Sequence, residues 1–427
     1  MIINFSIQNF GSFKERQTLN FEADKSTHLE ESYIIKTGRF RILKMALIFG
    51  ANASGKTTIL KSQDFLRELV LKPASSKTEV LNFQPFLFDK KNNQNSVISI
   101  EFVSNQIKYA YQVEFFSKAV VSEVLYNYNP GKSLVFKRST DLVNQLSEIR
   151  FGEKIRTDRT ASKILEGNTL WNNTVLGGFL KTNIDMVELK DVTDWFKNYL
   201  YPIIHPRFSL EGFIASKFDK GDLQKHDVID ILKKADLNIS DIIMNEEEIE
   251  LPDRIIETLK SQLKDSPAEI RKIEENKIIK LNIAFEHTVN QVKYSLPIEQ
   301  ESQGTRRYFG FAGLLALLVK KPAAFPVDEL ESSLHPDLFL HFIITFLLNA
   351  KHSQIIATTH NREILDNKDI FRNDAIWFTD KNKNSSTELY SLADFDSSVV
   401  RNTTNVLNAY KSGKLRANPI LGDNYIN

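Results

Sequence analysis

One stretch, Gly50-Ala51-Asn52-Ala53-Ser54-Gly55-Lys56-Thr57, constrains this chain more than any other. Two glycines bracket four residues, Lys and Thr follow, and the apolar run Met45 to Phe49 precedes. A buried strand is therefore expected to turn through a phosphate-binding loop into a helix. Glycine at 50 and 55 lets the backbone turn tightly and aim successive N–H groups inward, which makes a nest for phosphate oxygens at the positive end of that helix. Gly50, Ala51, Asn52, Ala53, Ser54, Gly55, Lys56, Thr57 and Thr58 are the candidate nucleotide-binding residues. Lys56 would set a point charge near the β and γ phosphates, and Thr57 would offer its hydroxyl to Mg²⁺.

Far downstream, Phe325 to Val327 reads as a strand that delivers Asp328 and Glu329 from its carboxyl end, the side on which ligands bind in open α/β sheets. Alone, an Asp-Glu pair is more often a solvated surface feature. Paired with the phosphate loop it acquires two roles, Asp328 toward Mg²⁺ and Glu329 as the base that takes a proton from the attacking water. Pro326 is out of place in a central strand, because it cannot donate a ladder hydrogen bond, and a bulge is one way to admit it.

Between the two fragments stands Glu301-Ser302-Gln303-Gly304-Thr305-Arg306-Arg307, followed by the apolar stretch Phe309 to Val319, a buried helix by its pattern. Ser302 and Gly304 open that helix with a hydroxyl and unpaired N–H groups, which suits a second phosphate contact. Taken alone, the same residues are an ordinary helix N-cap. After the acids come Ser332-Ser333-Leu334-His335-Pro336, then a second strand, Gln354 to Ala357, leading to Thr358-Thr359-His360-Asn361. A lone His at a strand end is usually structural, but beyond a second parallel strand His360 is a γ-phosphate contact candidate.

In this order the motifs resemble the ABC-type ATPase heads related to RecF and SMC proteins. The resemblance implies an α/β fold, a mixed sheet with flanking helices, and ATP sandwiched between two heads. It further implies that Ser302 and Gly304 act in trans, that Ser333 to His335 form the loop crossing the dimer interface, and that His360 senses the γ phosphate. A narrower likeness covers most of the chain. Asn9-Phe10-Gly11-Ser12-Phe13, Gln84-Pro85-Phe86, Asp374-Ala375-Ile376-Trp377-Phe378 and Tyr410-Lys411-Ser412-Gly413-Lys414 through Asn418-Pro419 are similar to bacterial AAA15-type ATPases, the ATPase halves of anti-phage abortive-infection systems such as AbiL/RloA and PARIS. Gly11 replaces the basic residue common in those relatives. Gln84 is a Q-loop and metal-ligand candidate by position only, and a packing residue before Pro85 on the other reading.

A chain of 427 residues with 42% hydrophobic content can bury a large core. Lys+Arg 55 against Asp+Glu 54 gives no global basic field, so strong unspecific nucleic-acid binding is not expected, and local groups such as Lys36, Arg39, Arg41, Lys44, Lys137 and Arg138 read as solvated faces. Zero cysteines excludes disulfides and cysteine-ligated metals and fits a cytoplasmic protein. The N-terminus alternates as a strand does, and the run Phe309 to Val319 is too short to span a bilayer, so no membrane segment is expected.

Alternation at Ile98, Ile100 and Phe102 and at Ile107, Tyr109, Tyr111, Val113 and Phe115 predicts a hairpin turning at Asn105-Gln106. From about residue 160 to 275 the spacing turns helical, with Val187, Leu189, Val192, Trp195 and Phe196 and later Ile255, Ile256, Leu259 and Leu263. Pro202, Pro206, Pro252 and Pro267 interrupt it, which favours a compact insertion over a long coiled coil. A second alternating pair, Leu281-Ile283-Phe285 and Val292-Tyr294-Leu296, is expected to return the chain to the sheet. The expected layout is a first ATPase lobe over 1–155, a mostly helical insertion over 156–277, a second lobe over 278–380 and a tail over 381–427.

Two functions of different class compete. One is an ATPase (ATP and water to ADP and phosphate) that serves as the switch subunit of a defence complex, self-associated as a homodimer or higher even oligomer, with a separate effector encoded nearby and a phage-derived trigger. The other is a RecF-like DNA-binding repair ATPase. A nuclease within the chain is disfavoured: too little sequence follows His360 for a Toprim domain, no His stands five residues after an Arg, and Asp394 and Asp396 read as a solvated turn.

Overall fold

A computed structural model describes residues 1–89, 94–250, 252, 270–274, 277–395 and 406–418. The chain forms two compact units: Met1–Pro206 with Pro322–Leu330 and His352–Asn427, and Arg207–Lys321 with Glu331–Lys351. The division falls at 206/207 because the helix Val187–Asn198 and its neighbours pack on the N-terminal sheet, whereas the layout expected from sequence breaks at 155/156.

The first unit opens with β1 (Ile2–Gln8) and β2 (Gln17–Asn20), a short helix α1 (Glu30–Tyr33), the ribbon β3 (Ile34–Thr37) and β4 (Phe40–Leu43), then β5 (Met45–Gly50) and α2 (Lys56–Leu71). Strands β6 (Ser96–Ser104), β7 (Ile107–Phe116), β8 (Ala119–Tyr128), β9 (Lys132–Asp141) and β10 (Leu146–Phe151) follow, and helices α3 (Arg159–Asn168), α4 (Val175–Phe179) and α5 (Val187–Asn198) come after them. An antiparallel seven-stranded sheet runs β10-β9-β8-β7-β6-β1-β2. Its β6–β7 hairpin turns at Asn105 and Gln106, both at positive φ (47° and 66°), the geometry that a two-residue hairpin with matching twist requires. Alternation buries Ile98, Ile100, Phe102, Tyr109, Tyr111, Val113 and Phe115 on one face. There α5 packs through Trp195, whose ring stacks 4.0 Å from that of Phe102, and Phe196.

That same face holds a buried polar cluster. Arg138 is fully buried, donating to Ser147 Oγ and to the carbonyls of Leu170 and Trp171. Glu123 accepts from Tyr111 Oη and from the Val175 N–H at the start of α4. Arg138 is thus no part of a solvated face, and neither is Lys44, which lies buried between β4 and β5 with its ammonium pushed down to about 8 by that burial. Sequence shows charge but not the direction in which a strand residue points.

In the second unit stand α6 (Leu210–Asp219), α7 (Lys225–Lys234), an antiparallel sheet of β11 (Asp241–Glu250), β12 (Ile270–Glu274), β13 (Lys277–Val289) and β14 (Val292–Pro297), and helices α8 (Gln303–Lys320) and α9 (Pro336–Asn349). Two expectations change here. Among the described residues the insertion continues past Lys234 as strands instead of helix, and the β13–β14 hairpin joins β11 and β12 in a separate sheet instead of returning to the nucleotide-loop sheet. Strand β11 (DIIMNEEEIE) lacks apolar alternation over its second half. Its backbone register sets Glu247 opposite Lys280 and Glu250 opposite Lys277 in an antiparallel ladder with β13. Ile255, Ile256, Leu259, Leu263 and Pro267, and the side chain of Leu281, lie outside the described residues. Helix α8 is buried from Arg307 to Leu318 and packs on α6, α7 and α9.

The first unit is completed by β15 (Ala324–Val327), β16 (Gln354–Thr358), β17 (Ile376–Lys381), β18 (Thr387–Ser391) and α10 (Val406–Lys411). These build a second sheet around the loop-bearing strand in the order β15-β16-β5-β17-β18, parallel except for β18. Strand β15 is the edge, which admits Pro326 without a bulge. The segment Tyr199 to Ile204 runs alongside, bonding Ala324 and Asp328 through their N–H groups and asking of Pro326 only its carbonyl. No described helix is long and apolar enough to cross a membrane.

Candidate functional site

Strand β5 is buried at every position, so the loop that follows begins at a rigid, fully packed end. Between β5 and α2 the backbone takes positive φ at Gly50 (155°), Ala53 (60°) and Gly55 (111°). A Cβ at Gly50 would stand 2.4 Å from Thr379 Oγ1, and one at Gly55 would stand 2.5 Å from Thr387 Oγ1, so both positions demand glycine for space as well as for conformation. Lys56 opens α2 and is buried. Its Nζ donates to the carbonyls of Gly50 (2.8 Å) and Ala51 (3.0 Å), which curls the loop around the ammonium. The helix begins at Lys56, directly after Gly55.

Asp328, 6% exposed, leaves the carboxyl end of β15 and meets the loop directly: Thr57 Oγ1 donates to Asp328 Oδ1 at 3.0 Å. Two residues 271 apart in sequence thus share one hydrogen bond. The carboxylate is aimed by a side chain outside the candidate set, that of Thr358. Thr358 Oγ1, at the end of β16, donates to Asp328 Oδ1 at 2.6 Å and accepts the Glu329 N–H at 2.8 Å. A threonine closing the neighbouring parallel strand was the available signal, but only tertiary pairing shows what its hydroxyl reaches. Glu329 has φ 48° and its carboxylate points out of the core, 45% exposed, with Oε1 3.9 Å from His360 Nε2. Lys56, Thr57, Asp328, Glu329 and His360 therefore gather at the carboxyl ends of β5, β15 and β16. Hydroxyl and carboxylate oxygens are the hard donors that Mg²⁺ prefers, and the Thr57–Asp328 pair supplies both, so the residues present fit that ion.

The remaining candidates divide by unit. Gln84, in the first, is exposed, and what it contributes is its carbonyl, which accepts the Gly11 N–H at 2.7 Å. A Cβ at Gly11 would stand 2.6 Å from Thr58 Cγ2, so the Asn9–Phe13 loop lies against the first turn of α2. In the second unit Ser302 is the N-cap of α8, its Oγ accepting the Thr305 N–H at 3.0 Å. Beside it, a Cβ on Gly304 would meet the Ser333 carbonyl at 3.4 Å, and Ser333 holds φ 63°. His335 caps α9, accepting from the Asp337 N–H, with Pro336 at the first helical position. Asp394 is a capping residue, its Oδ2 accepting the Ser391 N–H at 2.8 Å, and Asp396 lies outside the described residues.

Strand, glycine loop and helix, with an acid pair at the end of a parallel strand one removed from β5 in the same sheet, make this an α/β P-loop fold. The chain is similar to the SMC head domain from Thermotoga maritima, at TM-score 0.42 and 14% identity over 91% of this chain and 98% of that one. It is also similar to an SMC head bound to the C-winged helix domain of ScpA (0.43 and 12%, over 91% and 97%), and to an SMC head with an extended coiled coil bound to the C-terminal domain of ScpA derived from Pyrococcus furiosus (0.36 and 12%, over 97% and 98%). No curated protein matches the chain in sequence. A family model does match, over residues 45–366, from the first residue of β5 to beyond His360. By that extent the chain belongs to the family described as "AAA domain, putative AbiEii toxin, Type IV TA system".

Proposed function

We propose that this chain binds ATP with Mg²⁺, hydrolyses it to ADP and phosphate, and serves as the nucleotide-controlled switch subunit of an anti-phage abortive-infection complex whose effector is a separate protein. The observation that carries the reading is the hydrogen bond from Thr57 to Asp328, which makes the glycine loop and the acid pair one site. The N–H groups at the start of α2 bind phosphate oxygens, and Lys56 adds its charge to them. Thr57 and Asp328 hold Mg²⁺, with Thr358 fixing the direction of the carboxylate. When bound, that ion screens the phosphate charge. Glu329 accepts the proton of the attacking water, and His360, within 4 Å of it, contacts the terminal phosphate. The family description, with its toxin and type IV toxin–antitoxin terms, supports a defence setting. ATP that favours the closed pair of heads over the open one sets the population of heads available to an effector.

Closure in trans is testable. Lys56→Ala and Ser302→Ala proteins are each expected to lose ATP turnover. Mixed in equal amounts and allowed to exchange, they should recover roughly a quarter of the wild-type rate, since half of the dimers then carry one intact composite site. Exchange without recovery would show that each site is complete within one chain.

A further inference from the structure

The phosphate loop is gripped from outside. Ser54, buried within it, is held at two atoms by threonines of the β17–β18 hairpin: its Oγ lies 2.6 Å from Thr379 Oγ1, and its carbonyl accepts from Thr387 Oγ1 at 2.7 Å. Thr379 also donates to the Phe49 carbonyl and stands opposite Gly50 in the parallel β5–β17 register. Thr387 lies 2.8 Å from Ser12 Oγ, while the Thr387 N–H donates to the Ser12 carbonyl. Three hydroxyls drawn from two distant parts of the chain thus surround a loop with three residues at positive φ. Two of these are glycines, which take positive φ freely, but Ala53 at 60° is costly to hold there and persists where its surroundings over-determine it.

We propose that Thr379 and Thr387, with Ser12, are positioning residues that keep the phosphate loop in its binding shape before nucleotide arrives; this rests on the nucleotide-binding reading above. None of the three approaches the acid pair in the structure's hydrogen bonds, so their action is on binding and not on bond cleavage. Valine keeps the shape of threonine and removes the hydroxyl, leaving the Ser54 carbonyl or hydroxyl without its buried partner. The bound loop must then be ordered at the expense of nucleotide affinity.

The test measures fluorescent ATP-analogue affinity, ATP turnover and thermal unfolding on the full chain. Thr387→Val and Thr379→Val should each weaken nucleotide Kd and raise KM roughly five- to tenfold, with kcat within about twofold of wild type. Thr387→Ser, which keeps the hydroxyl, should restore wild-type affinity. Should the valine proteins fail to fold, Ser12→Ala, at a half-exposed loop position, carries the same test with a smaller loss of affinity. Wild-type Kd in the variants, or a fall in kcat with Kd unchanged, overturns the brace while leaving the nucleotide site standing. Wild-type protein that neither binds nor turns over ATP removes both.

Discussion

At the scale of single residues, the site and the core use polar groups in opposite ways. Asp328 is buried but receives two threonine hydroxyls, so its charge is supported where it is needed. Glu123 is buried further from solvent, and burial pushes its carboxyl up from 4.5 to about 7 despite the opposing pull of Arg138. In the unfolded chain this group gives up its proton near 4.5 and in the folded chain near 7, so between those values the unfolded state binds fewer protons. Stability contributed by the protonated form is therefore present at low pH and lost as pH rises through about 7. Urea unfolding of wild type and Glu123→Gln at pH 5 and pH 8 checks this: wild type should lose more stability over the interval than the variant. Equal losses in the two proteins would deny Glu123 that role. None of this was legible beforehand, because whether Glu123 and Arg138 face inward depends on which sheet face α4 and α5 cover.

Among elements, what the sequence made legible follows from local rules, and what it hid follows from pairing. The β5 to α2 turn, the β6–β7 hairpin and helix α8 are legible in apolar period and turn chemistry. Strand β11 is not, since its glutamate run matches neither period and finds its partner in β13, residues away. Pro326 is an obstacle only until β15 proves to be an edge strand. Helix α8 adds a packing constraint of its own: a Cβ on Gly310 would stand 2.4 Å from Leu210 Cβ, and one on Gly313 would stand 2.4, 2.7 and 2.8 Å from Cδ1, Cγ1 and Cγ2 of Ile214. Gly310→Ala forces the α6 backbone aside and should cost about 1–3 kcal/mol in urea unfolding. A Gly310→Ala protein as stable as wild type would mean that α6 and α8 are not packed this closely.

Taken whole, the molecule divides the candidate site residues between two units. The glycine loop, both acids, Thr358 and His360 belong to one, and Ser302, Gly304 and the Ser333–His335 turn to the other. The first group was largely legible from the spacing of the loop and the strand ends. Thr358, Thr379 and Thr387 were not, because their hydroxyls act across strand pairings that connect distant segments. The whole account depends on one chemical assignment, the division of labour between a loop that binds and an acid that cleaves. Replacing Glu329 by Gln separates the two, since the amide keeps the size of the side chain and cannot take a proton. Phosphate release from Glu329→Gln in a single turnover is the direct measurement: ATP should bind with wild-type affinity and be cleaved at least about a hundredfold more slowly, whereas cleavage at the wild-type rate would contradict the account.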